Sequence, residues 1–235
     1  MYIKVEWIRP YRANPHMDRL ERRIRMADLN LISERLQKGK AKEVEKLVAD
    51  ALAEGVPVRD ILEKGLIAGM GIIGEKFKNN QVYVPEVLIA ARAMNKGMAI
   101  LEPAMVKAGV EPLGTVVIGT VKGDLHDIGK NLVCMMFKGA GFKVIDLGTD
   151  VPPEKFVEAA TANDACIVGL SALLTTTMPS MRDCVEALKT ASSKAKVMIG
   201  GAPVTQAFAD EIGASAYTPD AATAVEVGKQ LIGAA

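Results

Sequence analysis

His126 is the residue of this chain that is best placed in the sequence to bind a metal ion. It lies between an apolar run at 115–120, which predicts a β-strand, and a run from about Ile128, which predicts a helix. Asp124, two positions earlier, can accept the proton of one imidazole nitrogen and leave the lone pair of the other free for a metal. Since the chain has only two histidines, few residues compete for this role.

Composition excludes several classes of protein. The chain has 235 residues, of which 49% are hydrophobic and 4% aromatic, so its cores are expected to be aliphatic. A formal net charge of +1 gives no reason to expect nucleic acid as a partner. Three cysteines without a C-x-x-C pair predict no disulfide framework and favour the cytoplasm. No apolar stretch approaches the roughly 20 residues that span a bilayer, so no membrane partner is expected.

Residues 1–26 form a leader with an excess of Lys and Arg over Asp and Glu. It lacks the apolar segment of a secretory signal. One interpretation is a transit peptide or an arm that binds nucleic acid. The interpretation we favour is a disordered extension, or translation from an upstream start with Met17 or Met26 as the true beginning.

Residues 27–108 predict a bundle of four helices. Apolar residues recur there every three or four positions, as expected for helices that bury one face. Gly39 and the segment Gly55–Pro57 separate the first three helices. The polar turn 78–81 precedes the fourth helix, which is predicted to start at Pro85.

Residues 109–235 have a different pattern, in which short apolar runs alternate with helix-like stretches. Pro103 and Pro112 mark the linker before it. The predicted strands are 116–120, 143–147, 165–170, 196–199 and 214–217. Strands that alternate with helices predict a doubly wound parallel sheet of the α/β class. Such sheets bind ligands at the carboxyl ends of their strands, near the point where the strand order reverses.

Three of the loops that follow predicted strands carry unusual residues. They contain Asp124-x-His126-x-x-Gly129, the hydroxyl-rich segment Ser171–Thr177, and the pair Gly200-Gly201. Alone, each has an ordinary explanation: an idle histidine, a helix cap and a tight turn. Because all three fall on one edge of one sheet, we expect them to form one ligand site. The paired glycines would let a bulky planar ligand lie close to the backbone.

Together these motifs resemble the signature of cobalamin-binding domains. The order and spacing of the three motifs are similar to those of methionine synthase and of the corrinoid proteins of methanol, methylamine and methoxyarene methyl transfer. The segment Val82–Met94 resembles the helical cap of the same family. The resemblance covers the chain from about residue 27. It implies a four-helix cap domain at 27–108 and a flavodoxin-like, Rossmann-type cobalamin-binding domain at 109–235.

The resemblance also implies roles for individual residues. His126 would be the lower axial ligand of cobalt, with Asp124 bonded to its second nitrogen and Ser171 next in a relay to solvent. Tyr83 and Val87 would lie at the upper corrin face, with Met94 as a further candidate. The residues implied near the corrin or its nucleotide tail are Asp127, Gly129, Ser171, Leu173, Thr175, Gly200, Gly201 and Tyr217.

The function implied is that of a corrinoid carrier, a non-autonomous component of a multi-subunit methyltransferase. A substrate:corrinoid methyltransferase would methylate its cob(I)alamin. A second methyltransferase would remove the methyl group from methylcobalamin to tetrahydrofolate or a thiol, and a reductive activator would rescue Co(II). Protonation of the unit formed by His126, Asp124 and Ser171 would weaken the lower ligand and favour Co(I). The methyl donor stays open, because specificity resides in the partner.

Two other functional classes share part of this pattern. A cobalamin-binding sensor needs an output, commonly a DNA-binding domain, and binding of nucleic acid that depends on cobalamin would support it. An adenosylcobalamin mutase subunit shares the histidine motif but generally lacks the helical cap. Strict dependence on the adenosyl form of the cofactor would favour the mutase.

Overall fold

The computed structural model describes residues 29–234, and the predicted basic leader lies outside this part of the chain. The helical half begins with α1 at 29–37. Its other elements are α2 (Ala41–Ala53), α3 (Val58–Asp60), a π-helical segment (Ile61–Ile67), α4 (Ala68–Lys78) and α5 (Val84–Ala108). Since α3, the π-helical segment and α4 follow one another without a break, the predicted four-helix bundle is confirmed. No helix of residues 29–234 is both long and apolar enough to cross a membrane.

The helix α5 is defined at both ends by local interactions. The Glu86 carboxylate accepts a hydrogen bond from the backbone N–H of Tyr83 at 3.0 Å. Pro85 occupies the first turn, where its missing N–H would have no helical partner. Gly109 ends the helix with a φ of 63°, a left-handed conformation that glycine adopts without strain.

The second half contains a five-stranded parallel sheet. Its strands are β1 (Thr115–Thr120), β2 (Lys143–Asp146), β3 (Ile167–Ser171), β4 (Lys196–Gly200) and β5 (Ala216–Tyr217). The helices are α6 (Ile128–Gly139), α7 (Pro153–Ala162), α8 (Met178–Thr190), α9 (Gln206–Ile212) and α10 (Ala221–Leu231). The strand order β2-β1-β3-β4-β5 confirms the predicted flavodoxin-like sheet, whose switch point lies between β1 and β3.

The strand register aligns the carboxyl ends of three neighbouring strands. Thr120 of β1 pairs with Ser171 of β3, and Ser171 pairs with Gly200 of β4. The loops that follow these strands therefore begin side by side. They are the three loops that carry the unusual residues of the sequence.

The two faces of the sheet bury separate cores, because successive residues of a strand point to opposite sides. Val117 and Val168 belong to the core formed with α7, α8 and α9, which we call the closed face. Val116 and Ile167 belong to the core formed with α6 and α10, which we call the cleft face. The core of the cleft face continues into the buried side chains of the helical half.

The helical half packs closely on the cleft face. A Cβ placed on Gly139 of α6 would lie 2.9 Å from the side chain of Met70 of α4, so a glycine permits this approach. At the exposed rim, Lys78 Nζ forms an ion pair with Glu226 of α10 at 2.7 Å. One continuous apolar core thus connects the helical half to the half that carries His126.

Candidate functional site

The loop after β1 is fixed by hydrogen bonds to its surroundings. The buried hydroxyl of Thr120 donates to the carbonyl oxygen of His126 at 2.8 Å. The N–H of Gly123 donates to Asp150 Oδ1 at 2.7 Å, and the N–H of Asp150 donates to the carbonyl oxygen of Asp124 at 3.0 Å. Asp124 and His126 are therefore held on a rigid support at the carboxyl edge of the sheet.

Asp124 is fully buried and accepts hydrogen bonds with both carboxylate oxygens. Oδ1 accepts from His126 Nδ1 at 2.7 Å and from the His126 backbone N–H at 3.1 Å. Oδ2 accepts from the N–H of Leu173 at 2.7 Å, the N–H of Leu174 at 3.3 Å and the Thr177 hydroxyl at 2.8 Å. Burial raises the pKa of this carboxyl, but the bonds from Leu173, His126 and Thr177 outweigh burial and hold the pKa well below its usual range.

The imidazole of His126 is tied at one nitrogen and open at the other. Because the Asp124 carboxylate is ionised and can only accept, Nδ1 carries the hydrogen of their bond, and in the neutral imidazole Nε2 then has a free lone pair. The side chain of His126 is 51% exposed, whereas that of Asp124 is 0% exposed. A buried carboxylate behind a half-exposed imidazole is the usual arrangement of a histidine that binds a metal.

A cleft of about 600 Å³ opens beside His126 and lies between α6 and α10. Small-molecule sites commonly occupy roughly 300–1,000 Å³, so this volume suits a ligand of substantial size. The cleft extends along the cleft face of the sheet as far as Val116, near the start of β1, and Phe77 of α4 also lines it. The apolar residues of its floor are Val116, Ile118, Ile167 and Met198.

Glycines allow the loops around the cleft to approach one another closely, and one glycine leaves space in the cleft itself. Gly201 has a φ of 132°, and a Cβ there would lie 1.9 Å from the carbonyl oxygen of Ala172, so only glycine fits. A Cβ on Gly200 would lie 3.1 Å from the carbonyl oxygen of Thr218. A Cβ on Gly129 would meet nothing within 4 Å and would project into open space. The absence of a side chain at Gly129 therefore leaves room for a ligand.

The structure brings most of the predicted site residues together. Those that line the cleft are His126, Asp127, Gly129, Ser171, Leu173, Gly200 and Gly201. Thr175 and Tyr217 are not among the lining residues of the described chain. The last loop instead contributes Thr218, Pro219 and Asp220, the residues that follow Tyr217.

Three predicted contacts differ from the structure, those of Ser171, Val87 and Met94. Ser171 is not among the hydrogen-bond partners of Asp124 within residues 29–234, and the hydroxyl on Asp124 belongs to Thr177. The reason is that Ser171 ends β3, whereas Thr177 lies at the start of α8, where the loop turns back toward Asp124. Val87 is fully buried, because it lies on the same inward helix face as Met94, which is also buried. Tyr83, by contrast, is 68% exposed.

Lys130 is a residue of the cleft wall that the sequence did not point to. Its side chain is only 2% exposed, and its Nζ lies 2.6 Å from Asp146 Oδ1 and 2.7 Å from Asn131 Oδ1. The ion pair ties the first turns of α6, which follow His126, to the end of β2. The spacing of Lys130 and Asp146 carries no local signal, since their contact depends on the pairing of β1 with β2.

Both halves of the chain match family models described as B12 binding domains. One model matches residues 29–102 and the other matches residues 114–227. The site fits this match, because a single open imidazole suits a cobalt that a corrin ring already holds. The long apolar cleft beside His126 suits the nucleotide tail of the corrinoid. Fold and site together define a cobalamin-binding protein.

Relatives of this chain are corrinoid proteins. Dimethylamine corrinoid protein 3 of Methanosarcina acetivorans is 46% identical over 195 residues, which are 82% of this chain and 91% of that protein. Trimethylamine corrinoid protein 1 of Methanosarcina mazei is 47% identical over 184 residues, which are 77% of this chain and 85% of that protein. A corrinoid protein of Desulfitobacterium hafniense is 41% identical over 213 residues, which are 88% of this chain and 99% of that protein.

Solved structures agree with these relatives. The methanol:cobalamin methyltransferase complex of Methanosarcina barkeri contains a chain that matches with a TM-score of 0.81 and 27% identity, covering 89% of this chain and 81% of that chain. A cobalamin-binding protein of Desulfitobacterium hafniense matches with a TM-score of 0.71 and 31% identity, covering 86% and 98%. The chain belongs to the corrinoid proteins of methyltransferase systems, and its cofactor is cobalamin or a related corrinoid.

Proposed function

We propose that this chain is a methyl carrier between two methyltransferases. It receives a methyl group from a substrate:corrinoid methyltransferase and delivers it to a second methyltransferase, which passes it to tetrahydrofolate or a thiol. The bound corrinoid supplies the chemistry, because reduced cobalt is a strong nucleophile toward methyl groups and can release them again. The observation that carries the proposal is the half-exposed His126, tied to the buried Asp124 at the mouth of the cleft.

Different residues of the site would bind the cobalt, orient its ligand and bind the nucleotide tail. His126 would hold the cobalt of the corrinoid through Nε2. Asp124 would orient the imidazole through its hydrogen bond with Nδ1, and the strength of that bond would set how strongly Nε2 donates to the cobalt. Gly129 and the cleft floor would take the nucleotide tail, which removes the tail's own base from competition for the cobalt.

The helical half would shield the upper face of the corrin. Tyr83 is 68% exposed and Leu88 is 41% exposed, so the start of α5 presents apolar surface that a corrin could cover. We propose that residues 27–108 act as a cap domain on the cobalamin-binding domain 109–235. The cap would move aside when a methyltransferase docks, because one cobalt face must serve both partners.

Methylated amines are the first class of methyl donor to test. Two of the three named relatives are a dimethylamine and a trimethylamine corrinoid protein, and their identities of 46% and 47% are too similar to favour one amine over the other. The second methyltransferase and a reductive activator of Co(II) are further proposed partners.

Reconstitution with hydroxocobalamin tests the carrier role. The reduced complex is mixed with monomethylamine, dimethylamine, trimethylamine and methanol methyltransferases, each with its substrate, and methylation is followed by the visible spectrum. We expect rapid methylation with at least one amine system. The variant His126→Ala should slow complete turnover about tenfold or more, whereas His16→Ala, the matched loss of the other histidine, should not. A stable corrinoid complex that none of these systems methylates would exclude methylated amines and methanol as its donors. A reduced complex that cannot be methylated even by methyl iodide would contradict the carrier role.

A further inference from the structure

The buried hydroxyl of Thr177 has two alternative acceptors. Thr177 Oγ1 lies 2.8 Å from Asp124 Oδ2 and 2.9 Å from the carbonyl oxygen of Leu174. Both of these oxygens can only accept, and a hydroxyl has a single hydrogen, so Thr177 serves one of them at a time. Rotation about one side-chain bond moves this hydrogen from the carboxylate to the carbonyl.

Apart from Nδ1 of the His126 imidazole, the other donors to Asp124 lack this freedom. Leu173, Leu174 and His126 donate backbone N–H groups, whose directions the loops fix. The Leu174 carbonyl does not depend on the hydroxyl, because it already accepts from the Thr177 N–H at 3.1 Å. Departure of the Thr177 hydrogen would therefore leave Asp124 in place and change only the charge that it presents to His126.

Because both side chains are buried, loss of the hydrogen bond between Thr177 and Asp124 should have a measurable effect on His126. Thr177 is 6% exposed and Asp124 is 0% exposed, so water does not compensate readily for a hydrogen bond that is lost between them. A hydrogen bond to a charged group in such surroundings is stronger than one in water, and its effect passes along a chain of bonded groups. The chain here consists of the Thr177 hydroxyl, the Asp124 carboxylate and the imidazole of His126.

We propose that Thr177 is a positioning residue that sets the strength of His126 as a lower ligand. This inference rests on the proposed role of His126 in binding cobalt. With the Thr177 hydrogen on Asp124, part of the carboxylate charge is drawn away from His126 Nδ1. With that hydrogen on Leu174, Asp124 accepts more strongly from Nδ1, and Nε2 becomes a stronger donor to cobalt. The ligand is thus adjusted without the loss or gain of a proton.

The variant Thr177→Val removes the hydroxyl and keeps the volume of the side chain. In protein reconstituted with hydroxocobalamin and reduced, we expect the lower ligand to bind Co(II) about tenfold more tightly. The midpoint potential of the Co(II)/Co(I) couple should therefore become more negative, because four-coordinate Co(I) does not keep the ligand. An electron paramagnetic resonance spectrum should show a larger nitrogen splitting.

Matched variants distinguish the effect of losing the Thr177 hydroxyl from a general disruption of the loop. Thr177→Ser keeps a hydroxyl, and Thr176→Val makes the same change at an exposed neighbour, so both should behave like the parent protein. Ser171→Ala tests the residue of the predicted relay. Because Ser171 is not a hydrogen-bond partner of Asp124 within residues 29–234, this variant should shift the potential less than Thr177→Val does. Thr177→Ala is a second hydroxyl-free variant with a smaller side chain. If neither hydroxyl-free variant folds and retains corrinoid, the hydroxyl serves folding and the proposal is rejected.

A measurement on corrinoid-free protein tests the role of Thr177 separately from the ligation of cobalt by His126. In corrinoid-free protein labelled with nitrogen-15 histidine, the Nδ1–H proton of His126 should shift downfield in Thr177→Val, as for a stronger hydrogen bond. An unchanged proton shift and an unchanged potential would overturn the role of Thr177 and leave the cobalt ligand intact. A nitrogen splitting that persists in His126→Ala would instead overturn the proposed function.

Discussion

The strands present apolar side chains on both faces of the sheet, but the helices pack tightly on one face and leave a cleft on the other. On the closed face, α7 and α8 bury large side chains such as Phe156, Met181 and Leu188 completely. On the cleft face, α6 and α10 leave a cleft of about 600 Å³, and the helical half extends the core beyond them. The difference teaches that one face supplies a complete core, while the other keeps space for a ligand.

Overfilling matched positions on the two faces should give opposite results, and this is the largest effect that we expect. Ala224 is 2% exposed and lines the cleft, so the cleft can take part of the added volume of Ala224→Leu. This variant should weaken corrinoid binding about 100-fold and cost less folding stability than the matched change on the closed face. Ala209→Leu overfills the closed face, where Ala209 is fully buried, and should lower the free energy of unfolding by about 1–3 kcal/mol. Equilibrium dialysis with hydroxocobalamin and urea unfolding measure the two quantities. Equal losses of affinity in both variants would break the comparison.

Asp124 connects the two faces, because it lies in the loop before α6 and accepts from the loop before α8. Asp124→Asn puts an amide among backbone N–H donors, so one buried bond is lost. We expect the free energy of unfolding at pH 7 to fall by about 2 kcal/mol in urea titrations. A loss below about 0.5 kcal/mol would mean that the loop is held by other contacts.

The pH dependence of the same variant gives a separate test. The pKa of Asp124 is lower in the folded chain than in the unfolded chain, where it is about 3.9. Its stabilising contribution is therefore complete above that value and declines as the pH falls toward the folded pKa. The gap in stability between the parent protein and Asp124→Asn should be constant near neutral pH and should narrow from about pH 5 to pH 3. A gap that widens on acidification would contradict the depressed pKa.

The ion pair of Lys130 and Asp146 should contribute less to the free energy of unfolding than the hydrogen bonds of Asp124 do. Burial raises the pKa of Asp146, but the bonds from Lys130 and the Gly148 N–H outweigh it and lower that pKa. Since the side chain of Asp146 is 36% exposed, water can replace the lost partner in Lys130→Met. We expect the free energy of unfolding to fall by about 1 kcal/mol, discounted from a fully buried pair. A loss larger than that of Asp124→Asn would reverse the ranking of the two sites.

The ion pair at the rim between the helical half and α10 should have the smallest effect. Lys78 and Glu226 are 42% and 40% exposed, so Lys78→Ala should change the free energy of unfolding by less than about 0.5 kcal/mol. Addition of salt should reduce even this difference. A larger, salt-sensitive loss would show that the ion pair, rather than the apolar contacts around Met70, holds the two halves together.

Local spacing explains which parts of the fold and the site could be predicted. His126 and Asp124 are two positions apart, so their bond needs only one turn, and the strands follow from short apolar runs between turns. The contact of Thr177 with Asp124 spans 53 positions and depends on how the loop after β3 turns back, which its row of three threonines does not encode. The resemblance of its segment to the cap predicts a ligand surface at Val87, but the helical position of Val87 is that of a core residue.

The ligation of cobalt by His126 is the central claim, and isotope labelling tests it most directly. The protein is labelled with nitrogen-15 histidine, reconstituted with unlabelled hydroxocobalamin and reduced to Co(II). Its electron paramagnetic resonance spectrum should then change from the nitrogen-14 triplet to the nitrogen-15 doublet, and the doublet should vanish in His126→Ala and persist in His16→Ala. A triplet that stays unchanged on labelling would show that a nitrogen of the corrinoid itself binds the cobalt, which would contradict the assignment of His126.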